Sequence, residues 1–118
     1  MKICFPINTD DGIKSLVNGY FGNSPLFLIY NTQTLTSRVL TNAGRDTSTA
    51  ECSPLALLTD KGIDILVVSG IGNSALKLLN DADIRVYQSQ GITVGDNIEA
   101  IKSTGLPEFL EPSHNGKC

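Results

Sequence analysis

Apolar positions in this chain come in short blocks separated by polar, glycine-bearing joints, and their spacing changes from block to block. Lys2 to Asn8 puts Ile3, Phe5 and Ile7 on one face and predicts a first strand. Asn8-Thr9-Asp10-Asp11-Gly12 has the composition of a turn. Ile13, Leu16, Val17 and Tyr20 follow helical spacing, but Gly12, Asn18 and Gly19 interrupt it, which predicts an irregular loop or a single helical turn. Leu26 to Tyr30 is a second strand, Asn31 to Thr34 a polar turn and Leu35 to Leu40 a third strand, making a hairpin. Thr41 to Thr49 is a polar loop. Ser48-x-x-Glu51 has the form of a capping box, so a helix is expected from about Thr49 or Ala50, buried on Leu55, Leu57 and Leu58 and ended by Gly62.

The stretch from Gly62 to Ala75 organises the rest. Ile63-Asp64-Ile65-Leu66-Val67-Val68 is β-branched and lacks alternation, the pattern of a strand buried on both faces. It stops at Gly70 and Gly72, expected to let the backbone turn tightly, and passes into the helix-forming Ala75-Leu76-Lys77-Leu78-Leu79, with Asn73 or Ser74 as cap. Ile84 to Tyr87 is a last short strand. Thr93 caps a helix from Val94 to about Ser103, with Ile98 and Ile101 inward and Gly105 and Pro107 closing it. The order β-β-β-α-β-α-β-α predicts an α/β domain over residues 1–110, a mixed sheet of about five strands flanked by helices. Residues 111–118 are expected to be a flexible C-terminal tail.

Composition narrows the class. The 118 residues are the size of one domain, and no apolar run approaches the roughly 20 residues of a membrane span. The first residues are too short for a signal-peptide core, so a cytoplasmic location is expected. The formal charge is −3 and the basic residues are scattered singly, which disfavours nucleic acid as a partner. Three cysteines, Cys4, Cys52 and Cys118, with no CxxC pair and only His114 as imidazole, argue against a disulfide framework and a self-contained zinc site.

Strand directions bring the chemistry together. If the first strand runs up, the hairpin sends the second down and the third up, and right-handed crossovers send the last two up. Asn8–Gly12, Tyr20–Asn23, Thr41–Cys52, Ser69–Ser74 and Gln88–Gly91 then share one rim. Ligands of open α/β sheets lie beyond the carboxyl ends of strands at a switch in strand order, which the glycine loop occupies if the first and fourth strands are neighbours. The candidate binding residues are Asp10, Tyr20, Asn23, Arg45, Ser69, Gly70, Gly72, Asn73 and Ser74. Cys52, in the first turn of a helix, reads either as a thiolate ligand for a metal or cluster or as a small buried hydrophobe. Cys4, in a central strand, reads as core.

The ordered set of pieces resembles the dinitrogenase iron–molybdenum cofactor biosynthesis family, small cofactor-carrier and accessory domains of nitrogenase assembly. Tyr20-Phe21-Gly22-Asn23-Ser24-Pro25 leading into Leu26–Tyr30 is similar to the family's His-Phe-Gly segment. Gly62 to Ala75 resembles its strand and glycine loop, and Ile84–Tyr87 with Gly91-Ile92-Thr93-Val94 its closing strand and helix. The resemblance implies a ribonuclease H-like fold, no enzymatic activity, binding of an iron–molybdenum or iron–sulfur cluster, and metallocofactor assembly proteins as partners in nitrogen fixation. Tyr20 stands where the family often has His, and a neutral phenol is a poor ligand for iron or molybdenum. Cys52 is therefore the leading metal ligand, with His114 and Cys118 of the tail behind it. One ligand per chain is too few for tight binding, which implies a homodimer or a borrowed ligand.

Two other readings come from the residues alone. Gly70-x-Gly72-x-x-Ala75 fits a dinucleotide fingerprint, but Gln88-Ser89-Gln90 stands where the acidic ribose partner belongs. A small anionic metabolite or nucleotide held by the Gly70–Ser74 loop is the alternative function. A two-metal nuclease is rejected: Asp10 and Asp11 lie near the rim, whereas Asp64 begins its strand and falls at the opposite end.

Overall fold

The β-branched run at the centre of the sequence forms β4, Ile65–Val68, and all four of its residues are buried. In the computed structural model, which describes residues 1–18, 24–41 and 61–112, it belongs to a five-stranded sheet. The strands before it are β1 (Lys2–Ile7), β2 (Leu26–Asn31) and β3 (Thr36–Thr41). After it come α1 (Asn73–Asp81), β5 (Arg85–Gln88) and α2 (Val94–Ser103). Gly12–Lys14 is one turn of 3-10 helix, which meets the expectation of a single helical turn. The helix expected near Thr49 or Ala50 lies outside the described residues.

Strand order across the sheet is β3-β2-β1-β4-β5. The hairpin pairs are antiparallel, while β1–β4 and β4–β5 are parallel. The first and fourth strands are thus neighbours, and chain order reverses between them. Period-two alternation divides the core. Cys4, Phe27, Ile29, Leu66 and Val68 face one layer with Ala75, Leu76 and Leu79 of α1. Ile3, Phe5, Ile7, Leu28 and Val67 face the other with Val94 and Ile98 of α2. Residues 107–109 cover the outer edge of β5, where Gln88 N–H donates to Pro107 O (2.7 Å) and Phe109 N–H to Val86 O (2.8 Å).

Pro6 sets the limit of the central pairing. The β1–β4 register covers Ile3↔Ile65 and Cys4↔Leu66 and then stops. Asp64 N–H donates to Lys2 O, so Lys2, Cys4 and Pro6 turn their backbone groups toward β4. Pro6 has no N–H to continue that ladder. Its carbonyl accepts instead from Asn18 N–H at 2.7 Å, and Ile7 bridges Val17. β1 and β4 therefore part at Pro6, and Val17–Asn18 takes the side that β4 leaves.

β4 begins at Ile65 rather than Ile63 and β5 spans Arg85–Gln88 rather than Ile84–Tyr87, and two further boundaries are corrected. β3 begins at Thr36 rather than Leu35, because Leu35 sits at φ +58 in the hairpin turn and is 68% exposed. The cap of α1 is Gly72, in extended conformation (φ −79, ψ 161), and neither Asn73 nor Ser74, which are already helical.

Candidate functional site

At the carboxyl end of the sheet, Ile7 of β1, Leu26 of β2 and Thr41 of β3 lie in one row of the register. Val68 and Gln88 end their parallel strands side by side. Asn8–Gly12, Thr41, Ser69–Ser74 and Gln88–Gly91 therefore share the expected rim. Of the residues singled out in the sequence, the structure places Ser69, Gly70 and Gly72 in the β4–α1 connection and Asn73 and Ser74 in the first turn of α1, with Asp10 at the same sheet end beside β1. Tyr20, Asn23, Arg45, Cys52, His114 and Cys118 lie outside the described residues.

The glycine loop presents neutral hydrogen-bonding groups. Exposed Ser69 and half-buried Ser89 stand with hydroxyl oxygens 2.9 Å apart, and Ser89 N–H donates to Val68 O (2.9 Å), locking the ends of β4 and β5 together. Ser89 was not singled out by the sequence. Its signal is register: it follows Gln88 as Ser69 follows Val68, the residue paired with Gln88. At the start of α1 the Gly72 carbonyl accepts from Leu76 N–H, and Asn73 Oδ1 accepts from Ser74 N–H (2.9 Å). No acidic residue stands in that first turn.

The start of α2 is closed by contrast. Thr93 Oγ1 accepts from Asp96 N–H, and Asp96 Oδ2 accepts from Ile92 and Thr93 N–H, all at 3.1 Å. These bonds, that from Thr93 N–H foremost, hold the Asp96 carboxyl below the usual carboxylate range. Val94 N–H donates to Ser15 O at 2.9 Å. Fully buried Asn97 ties the helix to the rim: Oδ1 accepts from Gln90 N–H (2.6 Å) and Nδ2 donates to Thr93 O (2.8 Å). Gly91 is required beside it, at φ +72, because a Cβ there would stand 2.7 Å from Asp96 Cβ.

The remaining candidates behave as structure. Asp10 Oδ1 accepts from Gly12 N–H (3.2 Å), closing an Asx turn, with Gly12 at φ +60. Cys4 is fully buried, and burial pushes its thiol far up, so it supplies no thiolate at neutral pH. Among the described residues no three His, Cys, Asp or Glu converge as a metal site. A cleft of about 440 Å³ beside Asn80, Arg85, Glu108 and Phe109 lies at the foot of β5, away from the rim. No described helix is long and apolar enough to cross a membrane.

Solved structures share this architecture over nearly the whole chain. The apo form of the orange protein from Desulfovibrio gigas matches with TM-score 0.85 at 22% identity, covering 95% of each chain. A Thermotoga protein described as NifB matches with TM-score 0.83 at 27% identity, covering 98% of each. A Methanocaldococcus jannaschii protein described as a dinitrogenase matches with TM-score 0.71 at 17% identity, covering 95% of this chain and 97% of that one. The orange protein and the dinitrogenase show likeness of fold. No curated protein matches the chain. The model of the family described as "dinitrogenase iron-molybdenum cofactor" matches residues 1–104, and the chain belongs to that family.

Proposed function

We propose that the protein is a non-enzymatic carrier or accessory protein for an iron–molybdenum or iron–sulfur cluster in metallocofactor assembly, acting in the cytoplasm on a ribonuclease H-like sheet. The observation that carries the reading is the convergence of the family match with the rim, where the Ser69–Ser74 loop stands at the reversal of strand order. The start of α1 and the hydroxyls of Ser69 and Ser74 would hold the anionic cargo by hydrogen bonds. Cys52 would supply a thiolate, with Arg45, Tyr20 and Asn23 completing the rim and Asp10 shaping the turn beside it. His114 and Cys118 are the reserve ligands, and a second copy of the chain or an assembly protein would complete the coordination.

The test is anaerobic reconstitution with ferrous iron and sulfide, and separately with isolated iron–molybdenum cofactor. A charge-transfer absorbance that Cys52→Ala removes is the expected result; no absorbance, or the same absorbance in the variant, refutes the assignment. A second reading, a small anionic metabolite or nucleotide on the Gly70–Ser74 loop, is favoured by the neutral donors of the described rim. A thermal-shift screen with nucleotides and organic phosphates, stabilising the protein while reconstitution fails, would select it.

A further inference from the structure

The two edges of the sheet are finished differently. Residues 107–109 bond the outer edge of β5 through Gln88 N–H and Val86 O, whereas β3 is the edge strand on the other side. Alternation fixes which β3 groups point outward. Thr32 N–H donates to Met1 O and the even-numbered residues of β1 turn to β4, so Ile3, Phe5 and Ile7 bond β2. In β2, Leu26, Leu28 and Tyr30 therefore turn to β1, and Phe27, Ile29 and Asn31 to β3. Their partners Leu40, Arg38 and Thr36 turn inward, which leaves the amides and carbonyls of Ser37, Val39 and Thr41 pointing out from the sheet. Among the described residues none of these outward groups has a backbone partner.

Nothing in the strand blunts this edge. Thr36–Thr41 carries no proline, glycine or bulge, its register with β2 is unbroken over all six residues, and Arg38 is its one charge. An edge of this kind is a template for another strand, and its own side chains say which strand fits. A two-fold axis normal to the sheet can centre an antiparallel β3 pair on Arg38, Val39 or Leu40. Centred on Arg38, two guanidinium groups would stand directly opposite each other. Centred on Leu40, Ser37 is left without a partner in β3. Centred on Val39, that residue exchanges both its bonds with Val39 of the second copy, and Ser37 does the same with Thr41, so every outward group is met. Arg38 then lies across from Leu40, and the two Val39 side chains meet on the α2 side of the sheet. We propose that β3 docks a second copy of this chain in this register, joining two sheets into one. The two-fold sets the carboxyl ends of the two β3 strands apart, so the two rims face opposite ends of the joined sheet. Completing a cluster's coordination then falls to an assembly protein, and the pairing stands whether or not the rim holds a cluster.

Sedimentation equilibrium of the full-length protein from about 10 μM to about 1 mM should show a monomer–dimer equilibrium, since one strand pair is a small interface. Ser37→Pro removes an outward amide that β2 does not use, at an edge position where proline is tolerated. Val39→Lys sets two ammonium groups opposite each other at the axis. Each should weaken dimerisation at least about tenfold, with an unchanged circular dichroism spectrum. Register is read by oxidative cross-linking with diamide and peptide mapping. A mixture of Arg38→Cys and Leu40→Cys chains should join position 38 to position 40, because opposite residues of a non-hydrogen-bonded pair lie about 4.5 Å apart at Cα, within disulfide reach. Neither variant alone should join to itself at the new thiol. A monomer at about 1 mM, a dimer that both weakening variants leave intact, or self-joining as ready as the mixed cross-link overturns the proposal. If either weakening variant unfolds, the cross-link decides.

Discussion

Asn97→Ala should loosen the rim and destabilise the whole domain. The Asn97 side chain is fully buried and makes two bonds, accepting from Gln90 N–H at 2.6 Å and donating to Thr93 O at 2.8 Å. Each is worth about 1 kcal/mol net, and the abandoned Gln90 N–H and the vacated volume add to the cost, for about 2–3 kcal/mol in all. With 118 residues, each kcal/mol lowers the melting temperature by roughly 4 °C, so a fall of about 8–12 °C is expected by circular dichroism. Amide hydrogen exchange gives the local readout: Gln90 should exchange faster in the variant, by more than amides of β1 and β4 do. A melting temperature within ~2 °C of the parent, with Gln90 exchange unchanged, would refute the role assigned to Asn97.

Four further outcomes follow from the same geometry. Gly91→Ala should cost about 2–3 kcal/mol in urea unfolding, because φ +72 disfavours a side chain and the new Cβ would displace Asp96 from its capping box. The folded Asp96 carboxyl titrates below its unfolded value, so its contribution to stability is present above ~pH 4 and lost as pH falls through the lowered folded value; Asp96→Asn should flatten the acid limb of the urea-midpoint profile in that window. Cys4 should resist alkylation in the native protein and react on unfolding, as peptide mapping by mass spectrometry would show, and Cys4→Ser should cost about 1–3 kcal/mol by burying a hydroxyl in the core. Asn73→Asp keeps the acceptor for Ser74 N–H and adds a charge at the positive end of α1, so it should raise stability by about 0.3–1 kcal/mol while weakening retention of an anionic cargo in reconstitution.

Much of this architecture is legible in the sequence, because its strongest signals coincide with local physics. β4 announces itself by β-branched residues without alternation, and α2 by Thr93 at its cap and its apolar spacing, so that its bounds Val94–Ser103 are those expected. Leu35 gives no sign of its left-handed conformation, since hairpin closure imposes it from both strands at once and neither Gly nor Asn marks the position. Pro6 is visible in the sequence, but its consequence requires knowing that β1 lies between β2 and β4 with its even-numbered backbone groups turned toward β4. At the site, strand directions are enough to place Ser69–Ser74 and Gln88–Gly91 on one rim. The Ser69–Ser89 hydroxyl pair depends on the β4–β5 register, which one residue of slip would destroy.

The two helix starts give the two sides of the rim different electrostatics. Both helices point their positive ends toward the carboxyl end of the sheet, as parallel βαβ connection requires. At α2 the donors of the first turn are met by Thr93, Asp96 and Ser15, and the charge standing there is negative. That end is electrostatically closed to an anion. At α1 a glycine cap supplies no acceptor side chain and the first turn carries no acid, so the helix dipole there is opposed by no carboxylate of its own. The identity of two caps, Gly72 and Thr93, thereby gives the two sides of the same rim different electrostatic character.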